Sequence, residues 1–464
     1  MNGSALGLIG VGTMGAGLAR NLSRAGFTAA VYDQDPARSR ALAAQVKDAR
    51  AAADIAGLVA QLKRPRAVLL MVNAGKPVDQ VLDALAPLLA RGDIVIDGGN
   101  SHYRDTQRRV ASLAARGIDL LGIGISGGEE GARLGASIMA GGDRAAFDRV
   151  APMLTAIAAR ADGDPCLGWF GENGAGHFVK MVHNGIEYAV MQLIAETWMA
   201  MRRVAGLSNA VCARRFATLA KGAMGSYLIE ITAELLALKD GASGKALVDM
   251  IRDNAGQKGT GQWAAQMALE LGVPAPTLAE AVFARAISGF SGRGLALGRT
   301  FVAPRGAKFP GSGPLLGPAL DAATIAAYAQ GFALIEAAAK AEGWQCAAAD
   351  VARVWRAGCI LRAKSLEPMR AALRAGPAVP DMLQTEAFRL RVSKGLVALR
   401  FAAISAVNYG FPAPCLASAL AWYDALETPR LWTALVQAQR DRFGQHGFER
   451  VDKPGRFHLD GSKA

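Results

Sequence analysis

Apolar and polar positions follow two regimes along the 464 residues. Residues 5–9, 28–33, 68–72 and 94–97 are short apolar runs, separated by stretches with helical spacing, the first of which runs to about Arg24. Near-continuous apolar strands alternating with helices predict a parallel, doubly wound sheet. From Gly176 these runs stop, and helical periodicity holds to about residue 430. The chain therefore reads as an α/β Rossmann-type N-terminal domain (1–175), a large all-α domain (176–434) and a C-terminal tail (435–464). The tail is polar, contains glycine and ends Lys453-Pro454-Gly455-Arg456-Phe457-His458. It is expected to have no core of its own, and either to fray or to dock on a neighbour.

The helical domain repeats itself. GVPAPTLAEAV, starting at Gly272, returns as GFPAPCLASAL, starting at Gly410, with seven of eleven positions identical. Gly206-Leu207, after the first long helical stretch, answers to Gly343-Trp344 after a second. Two similar helical units, about 176–302 and 319–434, are expected to pack together, joined by a Pro/Gly-rich loop at 303–318.

Between residues 176 and 201 one helical pattern inverts the usual arrangement. Lys180, His183, Asn184, Glu187 and Tyr188 fall at i, i+3, i+4, i+7 and i+8, spacing that normally carries an apolar stripe. At ~100° per residue they span an arc of roughly 140°. Phe178, Val179, Met181, Val182, Ile186 and Val190 cover the other faces. This predicts a catalytic wall carrying a base, an acid and hydrogen-bond donors, because His, Asn, Tyr and a lone Lys/Glu pair would solubilise a surface poorly. The counterpart at 322–341 is mostly Ala, Ile and Leu and reads as scaffold.

Gly10-Val11-Gly12-Thr13-Met14-Gly15 follows the first strand and opens the first helix, and Asp33 closes the second strand. In that context a glycine fingerprint predicts a dinucleotide site, because its glycines let backbone N–H groups approach a pyrophosphate at a helix N-terminus.

Composition narrows the partners. A net charge of +13 invites a nucleic-acid reading. The basic residues are scattered, however, with no run longer than Arg108-Arg109 or Arg202-Arg203, so anionic small molecules are the expected partners. Five cysteines far apart, with no CxxC pair, fit buried reduced thiols better than disulfides or a metal site. No apolar run reaches the ~18 residues of a membrane span, and the start lacks the basic leader of a signal peptide. The expectation is a cytoplasmic protein with no metal and no membrane contact.

The motifs together resemble one family. Asp97-Gly98-Gly99-Asn100-Ser101, Ile125-Ser126-Gly127-Gly128-Glu129, the Lys180 helix, Gly256-Gln257-Lys258-Gly259-Thr260-Gly261, Phe283-Ala284-Arg285 and the stretch from Gln439 to His446 are similar to the decarboxylating 6-phosphogluconate dehydrogenases. The likeness runs from residue 5 to about 458. The lysine helix alone would mark only the wider β-hydroxyacid dehydrogenase superfamily.

The resemblance implies oxidative decarboxylation of 6-phosphogluconate to ribulose 5-phosphate and CO2, a step of the pentose phosphate pathway. It implies that Lys180 is the base at the C3 hydroxyl and Glu187 the acid at C1. The substrate carboxylate would lie by Ser126, Gly127 and Gly128, with hydroxyls near His183 and Asn184. The phosphate would meet Tyr188, Lys258, Arg285 and, adjacent, Thr260, with Arg440 and His446 supplied by the tail of the other subunit in a homodimer. Cofactor contacts are implied at Gly10, Val11, Gly12, Thr13, Met14, Gly15, Asp33, Gln34, Asp35, Val72, Asn73 and Ala74, with Asn100 where cofactor and substrate meet.

Three other readings compete. A nucleic-acid-binding protein would not need the intact Lys180/Glu187 pair. A catalytically dead scaffold would need a lost motif residue, and none is lost. A β-hydroxyacid dehydrogenase for an unphosphorylated substrate would not need Lys258, Arg285 and Arg440. The sequence departs from the family where the cofactor would be held. Most members carry Asn-Arg-Ser/Thr after strand two, whereas Asp33-Gln34-Asp35 stands here, and Asn73 replaces a common lysine. A carboxylate at that place accepts from the ribose hydroxyls of NAD and repels a 2′-phosphate. NAD is therefore the expected cofactor, with NADP kept open by Arg38 and Arg40.

Overall fold

The computed structural model describes residues 3–257, 259–289, 309–376 and 379–463. One compact unit runs to Ala419, and a second spans Leu420–Ala464. The first unit opens with β1 (Leu6–Ile9), α1 (Thr13–Arg24), β2 (Ala29–Tyr32), α2 (Pro36–Gln45), β3 (Ala49–Ala51), α3 (Ile55–Ala60), β4 (Ala67–Leu70), α4 (Lys76–Leu85), β5 (Ile94–Asp97), α5 (Tyr103–Ala114) and β6 (Asp119–Ser126). It continues through α6 (Gly128–Leu134), β7 (Ser137–Gly141), α7 (Arg144–Ile157), a short hairpin β8 (Arg160–Ala161) and β9 (Asp164–Pro165), β10 (Leu167–Trp169) and α8 (Ala175–Arg203).

Eight strands form one sheet in the order β10-β7-β6-β5-β4-β1-β2-β3. From β3 to β6 every pairing is parallel. The expectation of a wholly parallel sheet is corrected at one edge, where β7 runs antiparallel to β6 and β10 follows β7. Only the short helix α6 joins β6 to β7. A parallel return needs a crossover of about a dozen residues or more, so the chain turns back instead. Apolar side chains fill both faces, with Leu18, Leu22, Phe147 and Leu154 on one and Leu58, Val78, Leu82 and Leu113 on the other.

Two glycines seat α8 on this sheet. A Cβ at Gly176 would collide with the carbonyl oxygens of Gly122 and Met139, and one at Gly124 with the Lys180 side chain. Their absence lets α8 lie directly against β6, with Lys180 over the strand end.

Of the expected loop at 303–318, residues up to 308 lie outside the described part. The rest forms a tight turn, Pro310–Leu315, and then enters a helix at Leu316. Pro318 sits in that helix's first turn, where its missing N–H has no partner to lose. The helix, Leu316–Glu342, packs on α8 and on Glu386–Tyr409. The segment 311–342 is long and apolar enough to cross a membrane, yet 72% of its apolar window is buried inside the fold, as a core helix would be.

The repeat is visible in the backbone. Gly272 and Gly410 take left-handed φ values of 66° and 62° after their helices, a conformation that favours glycine. The helices Pro276–Ser288 and Pro414–Glu427 then begin at matching positions. Matching residues also meet, since Cys415 Sγ lies 3.5 Å from the Thr277 carbonyl oxygen. The long helix of each repeat caps a helix of the other repeat. Gln330 Oε1 accepts from Thr277 N at 3.0 Å, and the Glu196 carboxylate accepts from Cys415 N and Leu416 N at 3.0 and 2.9 Å.

The second unit has order of its own. In it, the helix Thr433–Gly444 is followed by an antiparallel pair, Phe448–Glu449 and Arg456–Phe457. Buried Asp441 ties the turn together, accepting from Gly447 N, Leu459 N and His458 Nδ1 at 2.7 to 2.8 Å.

Candidate active site

The strand-end loops form a dinucleotide cradle. Gly10 has φ 96°, and a Cβ there would strike the Met71 carbonyl, while Gly12 faces open space at the start of α1. Asp33 Oδ2 accepts from Val11 N at 2.7 Å and Oδ1 from Asp35 N at 3.0 Å, so the acid at the end of β2 is locked to the glycine loop. A cavity of about 420 Å³ is lined by Gly10, Gly12, Asp33, Gln34, Val72 and Asn73. A second cavity, of about 650 Å³, is lined by Met14, Val72, Asn73, Ala74, Asn100, Thr260 and others. Thr13 and Gly15 lie in the first turn of α1, and a Cβ at Gly15 would strike the Gly10 carbonyl.

Along α8 the predicted face converges. Lys180 Nζ donates to Asn184 Oδ1 at 2.8 Å and lies 3.5 Å from His183 Nδ1. His183 Nε2 is 3.3 Å from Ser126 Oγ at the end of β6, and its Nδ1 is 3.7 Å from Glu187 Oε2. Asn184 Nδ2 donates to Thr260 Oγ1 at 2.9 Å, bringing in the helix Thr260–Glu270. Gly127 (φ 123°) and Gly128 (φ 61°) turn the chain beside Ser126 into α6.

Burial tunes these groups. It holds the Lys180 ammonium below its ordinary value, opposed by the charge of Glu187. It keeps His183 well below its usual range, helped by the Lys180 charge, so the imidazole is neutral. It pushes the Glu187 carboxyl up, against the pull of Lys180 and Arg285. A lysine lowered beside a carboxyl raised is the arrangement a base/acid pair needs.

The remaining predicted residues divide. The Arg285 guanidinium lies 3.3 Å from the centroid of the Tyr188 ring, stacked over it, and Nη1 donates to Gly256 O at 3.4 Å. Lys258 lies outside the described residues. Arg440 is on the helix Thr433–Gly444 and His446 just after it, both within the second unit.

Residues 5–171 match the NAD binding domain of 6-phosphogluconate dehydrogenase, and residues 176–461 match the 6-phosphogluconate dehydrogenase C-terminal domain. The chain belongs to the 6-phosphogluconate dehydrogenase family. It is 42% identical to the NADP(+)-dependent, decarboxylating 6-phosphogluconate dehydrogenase of Bacillus subtilis, over 100% of both chains. It is 41% identical to the NAD(+)-dependent, decarboxylating enzyme of the same organism, over 99% of this chain and 100% of that one. The 6-phosphogluconate dehydrogenase of Plasmodium falciparum, solved in apo form and with NADP+ and 6-phosphogluconate, superposes with TM-score 0.93 at 35% identity, covering 98% and 99% of the two chains.

Sequence reasoning missed part of this 6-phosphogluconate dehydrogenase site. Trp263 lines the larger cavity and packs edge-on against His102. Arg109, Thr106 and His177 form a buried hydrogen-bonded network behind Asn100. One signal was present. Arg109 shares the register of Tyr103, Thr106 and Leu113, the buried face of α5, and a charged residue in an apolar register marks a buried partner.

Proposed function

We propose that Lys180 and Glu187 carry the two proton transfers in the oxidative decarboxylation of 6-phosphogluconate to ribulose 5-phosphate and CO2, the reaction of this family. The observation that supports this most is the Lys180–Asn184–His183–Ser126 cluster, buried where the end of β6 meets α8. Neutral Lys180 takes the C3 hydroxyl proton. A nicotinamide cofactor held at the glycine loop and the loops after β4 and β5 would supply the hydride acceptor for C3. The protonated lysine then polarises the new ketone while CO2 departs, and Glu187, two turns along α8, protonates C1. Ser126 and the backbone at Gly127 and Gly128 offer donors to the substrate carboxylate, with His183 and Asn184 beside its hydroxyls.

The phosphate reading rests on Arg285, held flat over Tyr188 and donating to the Gly256 carbonyl oxygen, two residues before Lys258 in the chain. Purified protein with 6-phosphogluconate, followed at the 340 nm absorbance of reduced nicotinamide, tests the reaction. Turnover of an unphosphorylated 3-hydroxyacid instead would establish the runner-up.

NAD is the favoured cofactor in this reading. Asp33 sits at the end of β2 with its carboxylate fixed to Val11 N, and Arg38 is engaged by Asp35, at 3.5 Å. The two Bacillus subtilis relatives differ in cofactor dependence, so these side chains alone favour NAD.

A homodimer with exchanged tails completes the proposal. Leu390, Val397, Ile404 and Val407 stand exposed along the helix Glu386–Tyr409, an apolar stripe suited to a second copy. Arg440 and His446 of one copy would then close the phosphate pocket of the other.

A further inference from the structure

Arg109, on α5, is only 1% exposed, yet its guanidinium reaches four partners. Nε donates to Asp79 Oδ1 at 2.8 Å and Nη2 to the Gly75 carbonyl at 3.0 Å. Nη1 donates to Ser101 Oγ at 3.2 Å and lies 3.5 Å from Asp97 Oδ2. Gly75 belongs to the loop after β4, and Asp97 and Ser101 bracket the loop after β5. Residues of both loops, including Asn73, Ala74, Gly99 and Asn100, line the same cavity, and Arg109 is not among the cavity residues.

The bracket around Asn100 is tight. Ser101 Oγ donates to Asp97 Oδ2 at 2.6 Å, and Gly99 N donates to Asp97 Oδ1 at 3.1 Å. The network also reaches the catalytic helix. The Asp97 carbonyl oxygen is 3.1 Å from His177 Nε2, and His177 Nδ1 is 2.7 Å from Thr106 Oγ1. His177 lies on α8 one turn before Lys180.

We propose that Arg109 is a positioning residue for hydride transfer. Its fork fixes the gap between the two cofactor loops and, through Asp97 and His177, the place of that gap relative to Lys180. A planar guanidinium donates in several fixed directions at once, whereas a lysine ammonium is a point charge on a flexible stem. Lysine at this position keeps the charge that Asp97 and Asp79 require but cannot hold both loops. Displacement of reacting groups by about 1 Å costs up to ~100-fold in rate. The proposal rests on the assignment of Lys180 and this cavity to hydride transfer.

The test uses Arg109→Lys and Arg109→Ala in the full chain, with cofactor and with 6-phosphogluconate carrying hydrogen or deuterium at C3. For Arg109→Lys, kcat is expected to fall ~10- to 100-fold, with the substrate KM within about threefold, and the isotope effect on kcat should rise toward its single-turnover value. For Arg109→Ala, added guanidinium should restore part of the lost kcat. Variants with wild-type kcat and isotope effect overturn the proposal. So does a loss of kcat that follows a lowered melting temperature, with an unchanged isotope effect and no rescue. A wild-type enzyme with no single-turnover isotope effect overturns the assignment of the reaction, and the proposal with it.

Discussion

Lys180 Nζ donates to Asn184 Oδ1 at 2.8 Å, one turn along the same helix. The bond aims the amine along the polar face while burial lowers its proton affinity. Lys180→Met is therefore expected to abolish hydride transfer and leave substrate binding within roughly tenfold, since the lysine acts chiefly in the transition state. In the wild type, kcat/KM should rise with pH along a limb centred below the ordinary lysine value, because the base works only when neutral. Steady-state kinetics plus equilibrium binding check both. A Lys180→Met enzyme retaining more than a few per cent of turnover removes the base assignment.

Glu187 acts in the opposite sense. Burial raises its carboxyl, so it stays protonated to higher pH than an ordinary glutamate, and activity should decline as it ionises. Glu187→Gln is expected to slow turnover by roughly 10²–10⁴-fold and to lose that alkaline limb. A pH–rate profile with the alkaline limb unmoved refutes the pairing.

Much of this site is readable from residue spacing, and the reason is local. Lys180, His183, Asn184 and Glu187 share one helix, whose period alone puts them on one face. The glycine loop is equally local, because Gly10 requires a positive φ and Gly15 a bare backbone wherever that turn occurs. What spacing does not reveal depends on distant partners. The reversal of β7 follows from the short connection through α6, and its pattern is as apolar as that of a parallel strand. Arg109 belongs to the site only because Gly75, 34 residues away in sequence, meets Ser101 on its fork. Arg440 and His446 are marked by family resemblance, since their own helix tells nothing of a phosphate.

Cofactor choice can be tested at Asp33. A carboxylate ~5 Å from a 2′-phosphate costs about 3 kcal/mol at an effective dielectric of 20, roughly a hundredfold. Wild-type kcat/KM should favour NAD, and Asp33→Ser should move the NAD/NADP ratio toward NADP by ten- to a hundredfold. The same substitution also frees Val11 N from its acceptor, so kcat/KM for NAD should fall as well. An NADP value at or above the NAD value in the wild type disproves the preference.

The tail supplies a separate test. Deleting residues 436–464 removes Arg440 and His446, and with them the charge-assisted phosphate contacts proposed for these two residues. The substrate KM should rise sharply, while the KM for the cofactor, whose proposed contacts all belong to the first unit, should change little. Sedimentation of the intact protein at assay concentration should show a dimer. A fully active monomer would contradict the exchange of tails.

Glu196 makes stability depend on pH. Its carboxylate caps the helix Pro414–Glu427 from inside the core, and burial raises it from 4.5 to about 7 despite the hydrogen bonds it accepts from Cys415 N, Leu416 N and Gln192 Nε2. The unfolded chain releases this proton near 4.5, whereas the folded chain holds it until about 7. Between those values the native state binds more protons, so this contribution to stability falls as pH rises through the window and levels off above it. The span corresponds to at most about 3 kcal/mol. Glu196→Gln keeps an oxygen for the helix N-terminus and cannot ionise, so its melting temperature should decline less than that of the wild type between about pH 5 and about pH 8. Parallel melting curves for the two proteins across that range would show that Glu196 is ionised throughout, and the pH dependence would then have to come from other groups.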